Sequence, residues 1–329
     1  MFNGNYIFVW AIRGSMSSTG MVLPLFIVII LLSCSGCTLP QSQTNQDYIS
    51  DLGVSAMYPG RTHYVTDIEM QIPVAKVPDT IMVYSKQQLT KSEILQIASD
   101  LGISGEPIDE SGWIFIREGP YAFSSQPGGR VITYDDQTPM PGFTPEYIDS
   151  HLPSDDEARK IADEFLTTHN IEPEGMKFIG TNHNVGYFSY KNEQIKAFES
   201  INVMYRHFIN DHEIFNEKLG LEVTVNKTVK SMFWKWSRYQ SYREYRIIHP
   251  EEAVDRLQNT GIIVFEEMQN PEKASVRNIT LGYLGEIPSQ DLDYLIPVYM
   301  IEGEVSGNRT TTDFFQYILA APDIMIEKT

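Results

Sequence analysis

Three helix starts, each followed by a train of strand-like runs, constrain the fold of this chain more than any other feature of its sequence. Thr90-Lys91-Ser92-Glu93 and Ser154-Asp155-Asp156-Glu157 are capping boxes, in which the hydroxyl and the glutamate each satisfy an orphan backbone amide. His249-Pro250-Glu251-Glu252 is a third start, with proline at the first helical position and acids where the helix dipole favours them. Ile94, Ile97, Ala98 and Leu101 then form an apolar stripe. Ala158, Ile161, Ala162 and Phe165 repeat its offsets, and Ala253 and Leu257 continue the theme. Gly102, Asn170 and Gly261 supply the helix stops.

Alternating apolar runs fill the intervals. They fall at 113–116, 121–123 and 130–134, then at 185–190, 201–209, 219–225 and 229–236, and finally at 277–283, 294–301 and 314–320. Asn210-Asp211 and Asn226-Lys227 are the turns of the middle set. The expected class is α+β, built from repeated helix-plus-antiparallel-meander units in which each sheet wraps one helix. Unequal spacing of the helix starts makes these related units and not a solenoid.

The N-terminus reads as an address. Residues 21–32 form an apolar run of about a dozen, too short to span a bilayer as a helix but suited to the core of a secretory signal. It ends in Leu31-Leu32-Ser33-Cys34-Ser35-Gly36-Cys37, which resembles the lipobox of prokaryotic lipoproteins. The resemblance implies lipid attachment at Cys37, with Cys34 as the alternative register, and a membrane-anchored, extracytoplasmic protein. An uncleaved transmembrane anchor starting from the apolar run at 6–12 is the rival reading. The expected organisation is a signal sequence at 1–37, a polar tether at 38–56, an N-terminal α+β unit at 57–148 and a two-unit region at 149–329.

Composition narrows the function classes. A net charge of −18 disfavours nucleic acid and anionic headgroups as partners. Both cysteines lie in the lipobox, so the folded part has neither a disulfide nor a thiolate site. Asn226, Asn278 and Asn308 open Asn-x-Thr triplets, candidate glycosylation sites in an extracytoplasmic chain.

The strings Phe198-Glu199-Ser200-Ile201-Asn202-Val203-Met204-Tyr205, Ile209-Asn210-Asp211 and Leu219-Gly220-Leu221-Glu222-Val223 resemble the hairpin of PepSY-like and YycH/YycI-type domains. Ile279-Thr280-Leu281-Gly282-Tyr283, Leu295-Ile296-Pro297-Val298-Tyr299 and Tyr317-Ile318-Leu319-Ala320-Ala321 are similar to the closing segment of the YycI type. The resemblance covers 154–329 and implies an extracytoplasmic regulatory protein that restrains another envelope protein by contact.

No residues converge on a reaction. Glu251-Glu252 and Asp155-Asp156-Glu157 are explained by their place in first helical turns, and His183 sits in a polar turn. His207 and His212 flank a turn without an evident third metal ligand. No metal, cofactor or catalytic residue is therefore expected. The unusual stretch is 233–246, where six aromatics interleave with four basic residues in an acidic chain. Trp236, Arg238, Tyr239, Tyr242 and Arg243 are the expected partner-binding residues. The alternatives are a glycan platform on the same rings or, less favoured, an envelope hydrolase. A buried acid–histidine cluster in a cleft would favour the hydrolase.

Overall fold

Helix starts appear where capping chemistry puts them. The computed structural model describes residues 61–63, 65, 67–71, 76–139, 147, 150–190, 193–264, 271–287, 290–307, 310–322 and 324. The signal sequence, Cys34, Cys37, the tether at 38–56 and Asn308 lie outside the described residues. After the short strands β1 (Arg61–His63) and β2 (Asp67–Met70), β3 (Thr80–Gln87) leads into α1 (Lys91–Asp100). Thr90 caps α1 in a complete capping box: its hydroxyl accepts from the Glu93 N–H, and Glu93 Oε2 accepts from the Thr90 N–H at 2.8 Å. Gly102 then ends the helix at φ +77°, a left-handed conformation that glycine adopts without penalty.

A meander follows, β4 (Ile108–Glu110), β5 (Trp113–Glu118), β6 (Tyr121–Ser125) and β7 (Ile132–Asp136). Helix α2 (Asp155–Thr168) is capped by Ser154, but only half of the expected box forms, because the Glu157 carboxylate pairs with Lys227. Next come β8 (Met176–Tyr190), β9 (Glu193–Ile209), β10 (His212–Thr224), β11 (Val229–Lys235) and β12 (Arg238–Arg246). Helix α3 (Pro250–Thr260) and the short β13 (Ile262–Val264) precede β14 (Lys273–Ile287), β15 (Gln290–Gly307) and β16 (Thr310–Leu319).

The expected repetition of helix-plus-meander units does not occur. The structure is mostly β, with fourteen strands in one mixed sheet running β12-β3-β15-β14-β10-β11-β7-β6-β5-β4, to which β16, β2, β9 and β8 attach. Within it β14 pairs in parallel with both β10 and β2, whereas the expectation was antiparallel throughout. Nor does each helix have a sheet of its own, because α1 and α2 bury Ile94, Ala98, Ala158, Ala162 and Leu166 in one shared core. The physical reason is that alternation tells a strand which face to bury and says nothing about its neighbour. Phe165, expected inside, is only partly buried against Tyr134 and His169, and Leu166 takes the inner position.

Two cores line this sheet. The first takes its buried residues from 94–236; the second takes them from 65–84, Ile214 and 247–324. Strand β10 is the hinge between them: Leu219, Leu221 and Val223 face the first core and Ile214 the second. The second core is anchored by buried tyrosines whose hydroxyls find backbone acceptors. Tyr283 donates to the Met82 carbonyl and Tyr299 to the Ile248 carbonyl, each at 2.7 Å. Burial pushes both phenols well above their ordinary range.

Candidate functional site

Strand β9 continues its inward series Ile201, Val203 and Tyr205 to His207, and β10 extends its own inward series backward from Val223, Leu221 and Leu219 to Glu217. Both polar residues therefore arrive on the core face. Pairing of β9 with β10 breaks between Glu213 and Lys218, so residues 214–217 bulge opposite His207. Glu217 Oε2 meets His207 Nδ1 at 2.6 Å, with side-chain exposures of only 4 and 5 %. Its other oxygen accepts the Tyr239 hydroxyl at 2.5 Å and the Ser237 N–H at 3.1 Å. Trp236 stacks on the imidazole, centroids 4.2 Å apart and planes 13° apart.

A carboxylate at Nδ1 requires the proton on that nitrogen, which leaves Nε2 of the neutral ring as an acceptor. Gly175 makes room beside the other edge of the ring. Its φ is +73°, and a Cβ there would stand 2.0 Å from the Phe208 carbonyl oxygen and 3.1 Å from His207 Cδ2.

His207 lines a cleft of about 1000 Å³. One wall is α1, with Glu93, Gln96, Ile97 and Asp100; another is the connection from Asn170 to Gly175. Trp234, Trp236, Ser237, Arg238, Tyr239 and Ser241 form the wall that leads out along β12. Two ion pairs brace the mouth, Arg238 with Glu93 and Lys177 with Asp211. Trp234 also places a buried indole N–H here without a hydrogen-bond partner among the described residues.

Glu93 is held down to about 2, first by the Thr90 N–H and hydroxyl and then by Arg238. Its folded value lies below the ordinary 4.5, so the stabilisation is complete above that pH and is lost as pH falls through about 2. Thr90→Ala is expected to raise the Glu93 midpoint in a carboxyl NMR titration only part of the way to 4.5, because the Thr90 N–H, the largest cause of the depression, remains. It should also cost about 1 kcal/mol of stability. A full return to 4.5 in Arg238→Ala would assign the depression to the ion pair.

The expected partner-binding residues divide between two settings. Trp236 is 5 % exposed and serves the first core, which removes it from the binding surface for which it was expected. Tyr239 is half-buried and spends its hydroxyl on Glu217. Arg238 lies on the cleft lip. Tyr242 is 45 % exposed, packs its ring against Tyr294 at 4.8 Å and has the Arg243 guanidinium 5.7 Å from its own ring centre. Asn226 is exposed in the β10–β11 turn; the Asn278 amide donates to Glu302 and Thr280.

His207 and His212 do not share a site, since His212 Nδ1 reaches the Leu281 carbonyl. Among the described residues, no three His, Cys, Asp or Glu side chains are grouped to hold a metal ion. His183 lies in β8 and pairs with Asp155 at 2.8 Å. Glu217 was missed in the sequence because it sits in a polar string, although the inward register of Leu219, Leu221 and Val223 points to it.

Scanned against protein-family models and curated proteins, the sequence matches none. Among solved structures, the fold is similar to that of an uncharacterized protein from Eubacterium rectale ATCC 33656. The TM-score is 0.45 and the identity 9 %, over 80 % of this chain and 90 % of that one.

Proposed function

We propose that this chain is a lipid-anchored protein of the extracytoplasmic membrane face, not an enzyme, that binds another envelope protein along β12 and regulates it. Strand β12 carries this reading. It pairs only with β3 among the described strands, so its other side is a sheet edge, and seven of its nine residues are exposed. An exposed edge strand is a ready template for an added strand. Arg243 and Arg246 have no carboxylate partner among the described residues, in a chain of net charge −18. The occupant they suit is an extended acidic segment. The PepSY- and YycI-like strings argue for the same role, and the lipobox-like Cys37 for the address.

The acid–histidine pair that favours a hydrolase is present, yet none of the described hydrogen bonds joins His207 to a hydroxyl or thiol nucleophile. A glycan platform loses Trp236 to the core and keeps Tyr242 as the one largely exposed ring of β12.

A photo-crosslinking residue at Gln240 is expected to trap one membrane protein that the same residue at Lys160, on the solvated face of α2, does not. Tyr242→Ala with Arg243→Ala should reduce capture about 30-fold, the size of a 2 kcal/mol hot spot, without lowering the melting temperature. Cys37→Ser should lose both the adduct and membrane association. Unchanged capture in the double variant would remove β12 as the interface.

A further inference from the structure

We propose that the cleft is a binding site for a compact organic cation bearing N–H donors, a guanidinium or primary ammonium group. This goes beyond partner binding on β12, and a failure of capture there leaves it standing. Two independent observations carry it. His207 is a side chain only 5 % exposed whose Nδ1 is committed to Glu217, while Nε2 has no partner among the described residues on a ring that lines the cleft. In the neutral ring the contact with Glu217 places the proton on Nδ1 and makes Nε2 an acceptor, which an N–H donor satisfies and an anion does not.

Charge is the second observation. Glu93 and Asp211 on the cleft walls are neutralised by Arg238 and Lys177. Asp100, Glu172 and Glu174 on the same walls have no cationic partner among the described residues; Asp100 accepts from Gln96 and Glu172 from Thr167. The walls are thus left three charges negative around an aromatic interior. A cation gains from the carboxylates and from the aromatic side chains that line the cleft. An anion of the same size is repelled.

Isothermal titration of the whole protein with agmatine at low salt is expected to give saturable one-site binding. Glu172→Gln with Glu174→Gln, both exposed and so neutral to folding, should weaken it about five-fold or more. Tetramethylammonium, which has charge but no N–H, should bind more weakly than agmatine, and His207→Phe should erase that difference. Absence of saturable agmatine binding, or equal affinity in the rim double variant, overturns the site. Tetramethylammonium binding as tightly as agmatine overturns the role of Nε2. If His207→Phe does not fold, the rim variant and the two ligands decide alone.

Discussion

Glu217→Ala is expected to lower the unfolding free energy by about 3–5 kcal/mol, because it strips a buried histidine of its partner and removes the acceptor of two partly buried donors at once. The His207 Nδ1–H, the Tyr239 hydroxyl and the Ser237 N–H all converge on this carboxylate. Leaving a single buried donor unpaired costs about 1–3 kcal/mol, and the His207 Nδ1–H is the donor buried deepest here. Denaturant unfolding followed by tryptophan fluorescence measures the loss, and Trp236, stacked on His207, reports on the site itself. Glu217→Gln retains one acceptor oxygen and should cost less. A loss under about 1 kcal/mol for the alanine variant would mean that solvent replaces the carboxylate and that the site is wetter than its burial implies.

Tyr283→Ala should be comparably severe, at about 3–5 kcal/mol. Tyr283 is 1 % exposed and lies opposite Ile214, at the parallel contact where β10 of one core meets β14 of the other. Its ring stands edge-on to Tyr84 of β3 at 5.8 Å and to His212 of β10 at 6.1 Å, so truncation empties a volume between strands that their own pairing holds in place. Tyr283→Phe isolates the polar part: it keeps the ring, frees the Met82 carbonyl, and should cost about 1–2 kcal/mol. If both variants cost the same in thermal and denaturant unfolding, the hydroxyl and not the ring holds the junction.

Local chemistry was legible in the sequence. Thr90, Ser154 and Pro250 mark the three helix starts, and Gly102, Asn170 and Gly261 all take the left-handed or extended positive-φ backbone that ends a helix. The alternation of β9 and β10 also gives the correct inward faces. What alternation cannot carry is the identity of the neighbouring strand. Residues 80–87 and 238–246 lie far apart in the sequence yet pair along nearly their whole length, and neither announces the other. The candidate site depends on the same missing information. Glu217 reaches His207 through an irregularity in the pairing of β9 and β10, and Tyr239 and Ser237 join only once β12 has turned onto β3.

That long-range pairing has a consequence for the order in which the chain can assemble. All the buried residues of the first core lie within residues 94–236, one continuous stretch. Strand β3 is made before this stretch, whereas its neighbours β12 and β15 are made after it. Until they exist, β3 has two open edges and an apolar face without a partner, the condition in which strands join the wrong chain. Closing roughly 150 residues of loop must precede the first hydrogen bond between β3 and β12. The first core can condense as the chain emerges, and the second must wait for the C-terminus, which ties the vulnerable interval to the time taken to complete the polypeptide.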